Sequence, residues 1–170
     1  VSGRRFSVPL SELAENLEHK ADWLTGYLKD HEWIDGESDE GWFNSYYDNH
    51  GRAVEGFFPN EVRMILTGQV FAIMGNVASE QQIRKIVNSA DHYLYQKEIG
   101  GYRLNTDFHE LKFDMGRMFG FAYGEKENGA VFSHMTVMYA NALYRRGFAK
   151  EGWKALKTLG ETALDFDTSR

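Results

Sequence analysis

The densest run of polar and aromatic residues is Tyr123-Gly124-Glu125-Lys126-Glu127-Asn128-Gly129-Ala130-Val131-Phe132-Ser133-His134. Glu127 and Asn128 precede an apolar helical stretch, and His134 falls in its first or second turn. A helix start presents unpaired N–H groups and a partial positive charge, so a histidine there can complete an anion site. The structural alternative is that Glu127 or Asn128 caps the helix and His134 is a hydrogen-bonded core histidine. Spacing alone favours that alternative.

A second run, Trp42-Phe43-Asn44-Ser45-Tyr46-Tyr47-Asp48-Asn49-His50-Gly51, sets rings beside carboxyl and amide groups. A sugar is recognised by that combination, with C–H faces on rings and hydroxyls in paired hydrogen bonds. Equally, the rings cover the core and Asp-Asn-His-Gly is merely a turn. A third pair, Arg63 and Gln69, falls on a stretch that reads as one buried helix. Arg63 is there either an anion or sugar ligand or one arm of a structural salt bridge, and the spacing favours the salt bridge. Arg103-Leu104-Asn105-Thr106-Asp107, after Gly100-Gly101-Tyr102, has the make-up of a pocket-rim loop. The six histidines show no metal-site spacing, and the GxGxxG, P-loop and GxSxG patterns are absent.

Helices must position these residues. Leu10, Leu13, Leu17, Ala21, Leu24 and Leu28 form one apolar stripe, which predicts an amphipathic helix over Ser11–Leu28 with Pro9 at its start. From His31 to Phe58 the chain turns rich in Gly, Asp, Asn and aromatics. There Trp42–Tyr47 and Arg52–Val54 suggest a short hairpin or a long ordered loop. The run from Asn60 to Val77 is apolar on nearly every face and predicts a buried second helix. Ser79-Glu80-Gln81-Gln82 is a capping box that opens an amphipathic third helix through Leu94. After the long connection Gly100–Asn128, a buried fourth helix runs over Ala130–Tyr144. Arg145 and Arg146 sit at its C-terminal end before Gly147. An amphipathic fifth helix covers Ala149–Leu164. Amphipathic and buried helices alternate, so an α/α toroid is expected, with inner helices between neighbours and both long loops at one end. A plain bundle is the alternative, but bundles favour connections of about 2–8 residues.

Composition narrows the functional classes. A chain of 170 residues fits one domain or part of a larger one. Apolar residues are 42% and aromatics 15%, too many for an intrinsically disordered chain. No cysteine is present, which excludes disulfides, thiolate zinc sites and cysteine nucleophiles. The net charge of −6 argues against nucleic acid as a partner. No apolar run approaches the roughly 20 residues of a membrane span, and Val1–Arg5 does not lead into a signal-peptide core. A soluble, cytoplasmic, mostly helical protein is expected.

The runs at 100–106 and 123–134 resemble the late catalytic domain of glycoside hydrolase family 94, the cellobiose and chitobiose phosphorylase family. Its signature there is Lys-Glu-Asn-Gly-Gly followed by Phe and His. Tyr47-Asp48-Asn49-His50-Gly51 and Val62–Gln69 are similar to the same family, closest to its 1,2-β-oligoglucan phosphorylase branch. The resemblance implies an all-α (α/α)6 barrel and inverting phosphorolysis of a β-glucosidic bond that releases α-glucose 1-phosphate. Inorganic phosphate would be co-substrate, a β-linked gluco-oligosaccharide the substrate, and no cofactor is implied. One carboxylic acid protonates the glycosidic oxygen while phosphate attacks the opposite face.

By that resemblance His134 is a phosphate ligand, Glu127 binds sugar hydroxyls, and Asn128, Tyr47 and Asp48 line the sugar subsites. Arg63, Gln69 and Trp42 are further candidates. The sequence departs from the family at Ser45, where relatives carry Arg, and at Gly129-Ala130 and Met135-Thr136-Val137-Met138. The family's general-acid Asp belongs upstream of Val1, and further phosphate contacts belong beyond Arg170. Residues 1–170 are therefore read as one fragment, the C-terminal portion of a catalytic domain and inactive alone. Its partner is the rest of that domain, or a second copy through the apolar sides of helices two and four. Two alternatives remain. One is part of a related hydrolase or of a cyclic β-1,2-glucan synthase, and the other is a free-standing helical carbohydrate-binding or scaffold module without catalysis.

Overall fold

The structure, a computed structural model, describes residues 3, 5–37, 39–110 and 112–165, so the readings on Val1 and Arg170 lie outside it. About half of the described residues are helical. The helices are α1 (Leu10–His31), α2 (Leu66–Met74), α3 (Glu80–Tyr93), α4 (Ser133–Arg145) and α5 (Ala149–Leu164). Three antiparallel strand pairs link them. β1 (Trp33–Asp35) pairs with β2 (Gly41–Phe43), Trp33 opposite Phe43. β3 (Gly56–Phe58) pairs with β4 (Glu61–Arg63), Phe57 opposite Val62. β5 (Tyr95–Gln96) pairs with β6 (Gly101–Tyr102).

Where local chemistry decides the structure, the sequence reading holds. Ser79 Oγ accepts the Gln82 N–H at 3.2 Å and Gln82 Oε1 accepts the Ser79 N–H at 2.9 Å, so the capping box starts α3 as expected. At the end of α4, Gly147 follows the C-cap Arg146 with φ 84°. Arg146 then reaches across, donating to the carbonyls of Ile73 at 3.1 Å and Ala78 at 2.9 Å. Ile73 O is in the last turn of α2, where it also accepts the Asn76 N–H at 3.3 Å, and Ala78 O lies in the link before α3, so Arg146 ties the end of α4 to the α2–α3 connection.

The second helix starts later than its periodicity suggests. Residues 61–63 are a strand, and α2 begins only at Leu66. Pro59 and Asn60 favour a turn, and the short, mostly apolar stretch Val62–Leu66 fits a strand as well as a helix. Arg63 and Gln69 therefore share no helix. The fourth helix likewise begins at Ser133 and not Ala130. The hairpin expected between Trp42–Tyr47 and Arg52–Val54 forms only at its tip, as a bridge between Tyr47 and Ala53, because β2 pairs with β1.

The main core packs β2, α2, α3, α4 and α5 around Trp42, Met64, Tyr102 and Tyr139, all of them buried. Gly68 on α2 is required by contact, since a Cβ there would lie 2.1 Å from the Ser45 Cβ. A smaller core of Val54, Ile65, Phe108, Met115 and Phe119 lies beneath the long connection before α4.

The two helices expected to be buried on nearly every face are not. Phe71 and Met74 on α2 and Val137 and Tyr144 on α4 are exposed. Helix α1 has no buried residue, and its stripe of Leu10, Leu13, Leu17 and Leu24 lies bare. No described helix is long and apolar enough to cross a membrane.

Candidate functional site

The segment feeding α4 closes as a tight turn. The Gly124 N–H donates to Asn128 O at 2.7 Å and the Asn128 N–H to Glu125 O at 3.0 Å. Lys126, in the turn, has φ 47°, a left-handed conformation that non-glycine residues seldom adopt. Glu127 is partly exposed. One of its carboxylate oxygens lies 3.7 Å from Arg117, and the other is enclosed without a hydrogen-bond partner among the described residues.

Neither Glu127 nor Asn128 caps α4, whose N-cap is Phe132 with no side-chain cap. His134 is exposed in the first helical turn, its ring 5.3 Å from that of Phe132. The capping and core-histidine alternative is thus corrected by the structure. The first turn of α4 has no side-chain acceptor of its own and an imidazole beside it, an arrangement that can receive an anion. Asn128 is buried. Its amide donates to Phe121 O at 2.8 Å and its carbonyl oxygen accepts from Asn105 at 3.0 Å.

The aromatic run is built differently. Trp42 is fully buried, with its ring against Phe57 and Tyr93, and it offers no face to a sugar. The Tyr47 hydroxyl donates to Glu32 at 2.7 Å, and this bond raises its pKa above the ordinary value. Asp48 accepts the Arg52 N–H at 2.9 Å, the His50 N–H at 2.8 Å and the Arg52 guanidinium at 2.6 Å. Led by the Arg52 N–H, these bonds hold its carboxyl down at about 2. Of the two readings of Asp-Asn-His-Gly, the structure shows the turn.

Gln69 and Arg63 are structural as well. Gln69 is fully buried, accepting the Phe43 N–H at 2.8 Å and donating to Phe43 O and Ile65 O. The Arg63 guanidinium pairs with Glu61 and Glu110 and lies against the rings of Phe58 and Phe108. This is the salt-bridge reading. The 103–107 segment does rim an open groove of about 440 Å³, where Thr106 and Asp107 face Phe58, Asn60, Tyr93 and His109.

Two buried acids beneath the aromatic run were not picked out from the sequence. Glu55 accepts Ser45 N–H at 2.7 Å, Ser45 Oγ at 2.5 Å and Ile65 N–H at 2.7 Å. Burial outweighs these donors and pushes its carboxyl up to about 8. Glu32, also buried, accepts from Tyr47 and from Asn44 Nδ2 at 2.9 Å, and Asn44 Oδ1 in turn accepts the N–H groups of Val54 and Glu55. Nothing local marks Glu55, which sits between Val54 and Gly56 in an unremarkable stretch.

A stretch of the long connection joins both clusters. Tyr46 OH donates to Met115 O at 2.8 Å, Asn49 N–H to Asp114 O at 3.0 Å, and Arg117 approaches Glu127 at 3.7 Å. Residues 114–117 therefore touch the aromatic turn on one side and the Glu127 turn on the other, which matches the expectation that the long loops meet.

Comparison with known proteins places the chain in a family. The profile of the glycosyl hydrolase 94 superfamily catalytic domain matches residues 10–163, and the chain belongs to that family. Among its relatives, a cellobionic acid phosphorylase from Neurospora crassa is 27% identical over 137 residues, which is 81% of this chain and 17% of that protein. A solabiose phosphorylase from Paenibacillus borealis is 27% identical over 96 residues, 56% of this chain and 12% of that protein. The chain thus spans under a fifth of the length of these relatives.

Proposed function

We propose that the chain supplies sugar- and phosphate-binding groups to an inverting β-glucoside phosphorylase that releases α-glucose 1-phosphate. The observation that carries this reading is the exposed His134 in the first turn of α4, a helix without a side-chain cap. Family membership and two phosphorylase relatives support it. Phosphate is already an anionic nucleophile. It needs oriented donors and positive charge, not a second carboxylate to activate water. His134 and the α4 N–H groups are of that kind. Glu127, through the carboxylate oxygen that stands 3.7 Å from Arg117 on its exposed side, accepts sugar hydroxyls. Tyr47 lines the approach, while Asn128 and Asp48 hold turns in shape.

In this reading a carboxylic acid outside these residues protonates the glycosidic oxygen, and the (α/α)6 barrel is completed by the rest of the catalytic domain. The full-length protein, given β-linked gluco-oligosaccharides, is expected to release glucose 1-phosphate only when phosphate is present. Release of free glucose at the same rate without phosphate would replace this reading with the hydrolase one.

A further inference from the structure

Asn105 is completely buried, and its side chain is fully used. Oδ1 accepts the Gly129 N–H at 2.7 Å, and Nδ2 donates to Asn128 Oδ1 at 3.0 Å and to Thr106 O at 2.9 Å. Its backbone carbonyl accepts the Tyr123 hydroxyl at 3.2 Å. Three of these four bonds go to the turn that carries Glu127. Arg103 adds a fourth grip, donating to Gly129 O at 2.6 Å with its guanidinium over the Tyr123 ring.

On its other side Asn105 is anchored to the core. It bridges Ile65, the Thr106 N–H donates to Met64 O at 3.0 Å, and the Met64 N–H donates to Thr106 Oγ1 at 3.1 Å. The turn's own backbone bonds close it, but its conformation is demanding. Gly129 has φ 76°, and a Cβ there would fall 2.2 Å from the Tyr123 ring. Lys126 is left-handed, a state that persists only where the surroundings over-determine it.

We propose that Asn105 is a positioning residue for Glu127. It fixes the 123–129 turn against the core so that the Glu127 carboxylate stands ready for a sugar hydroxyl. It acts on ligand only through that carboxylate. This rests on the sugar-binding reading of Glu127. The requirement is for an amide, because Asp offers no donor to Asn128 or Thr106 and Leu offers neither donor nor acceptor.

The test uses the full-length protein in four forms: unchanged, N105D, E127Q and N105D/E127Q. Displacing a binding group by about 1 Å costs on the order of 100-fold. N105D is therefore expected to lower kcat/KM for the β-glucoside by about 10- to 100-fold, with KM for phosphate within about twofold. In the E127Q background the same change should add less than about threefold, because its route to ligand is already gone. A general folding defect would cost equally in both backgrounds, so additive losses overturn the positioning role. If N105D does not fold, Y123F removes only the hydroxyl on Asn105 O. Its loss is expected to be smaller and must also vanish in the E127Q background. An E127Q variant with unaltered glucoside kinetics retires the reading of Glu127, and this proposal with it.

Discussion

The two polar-aromatic runs, 42–51 and 123–134, look alike as sequences and are opposite as structures. In the first, hydrogen-bonding capacity is turned inward. Asp48 holds its own turn, Tyr47 donates to Glu32, Asn44 ties the Val54–Glu55 backbone to a buried acid, and Trp42 is core. In the second, the framework residues Asn105 and Asn128 are satisfied, while His134 is exposed, the first turn of α4 has no side-chain cap and Glu127 is partly exposed beside Arg117. Buried polar groups need partners within the protein, whereas a binding group must keep some capacity for its ligand. In the proposed reading the first run, Tyr47 apart, is a scaffold and the second a receiving surface. Substitutions in the first should change stability and spare affinity, and those in the second should do the reverse.

The strongest challenge to that division is Glu55→Leu. It strands the N–H groups of Ser45 and Ile65 in a buried setting. Each orphaned group costs about 1–3 kcal/mol, so denaturant unfolding should show a loss of about 3 kcal/mol with ligand KM values little altered. A variant as stable as the parent would remove Glu55 from the scaffold.

The same residue gives a pH signature. Its carboxyl titrates near 8 in the folded protein and near 4.5 when unfolded. The folded state thus holds the proton more tightly. The stability linked to Glu55 is complete below about pH 4.5 and is lost as pH rises toward 8, at up to about 1.4 kcal/mol per unit. Unfolding followed from pH 5 to 8 should show this decline, and Glu55→Gln should flatten it. Asp48 acts in the opposite sense. Its folded value of about 2 means its contribution is present above about 3.8 and lost as pH falls toward 2. Asp48→Asn should therefore blunt acid unfolding below pH 4 and leave glucoside KM unchanged.

The smallest effect sharpens the boundary between the regions. Tyr47→Phe removes one hydroxyl from Glu32 and should cost about 1 kcal/mol of stability. Tyr47 is also the exposed aromatic of the first run, at 47% exposure. A tenfold rise in glucoside KM on Tyr47→Phe would move it into the receiving surface.

The parts of the fold that could be read from sequence are those decided locally. Ser79 and Gln82 specify the start of α3 within four residues, and the Gly147 turn ends α4. The onset of α2 is hidden because a stretch apolar on nearly every face carries no clear period, and only the pairing of Glu61–Arg63 with Gly56–Phe58 decides it. The stripe of α1 was legible but not its fate, since nothing in the helix itself shows that Leu13 and Leu17 find no neighbour among the described residues.

At the site, Glu127 and His134 stand out through their own local run. Asn105 and Glu55 do not, because their partners lie 10 to 24 residues away and are brought to them by the tertiary fold. A buried carboxyl between Val54 and Gly56 has no sequence signature until Ser45 and Ile65 are seen against it.

The division between scaffold and receiving surface is tested most directly by phosphate and glucoside kinetics of His134→Ala in the full-length protein. An exposed imidazole in the first turn of α4 should cost little stability when removed. The account predicts an unchanged unfolding midpoint and at least a tenfold rise in KM for phosphate, about 1.4 kcal/mol, with KM for the glucoside within about twofold. Equal losses for both substrates, or a fall in stability with phosphate binding intact, would contradict it.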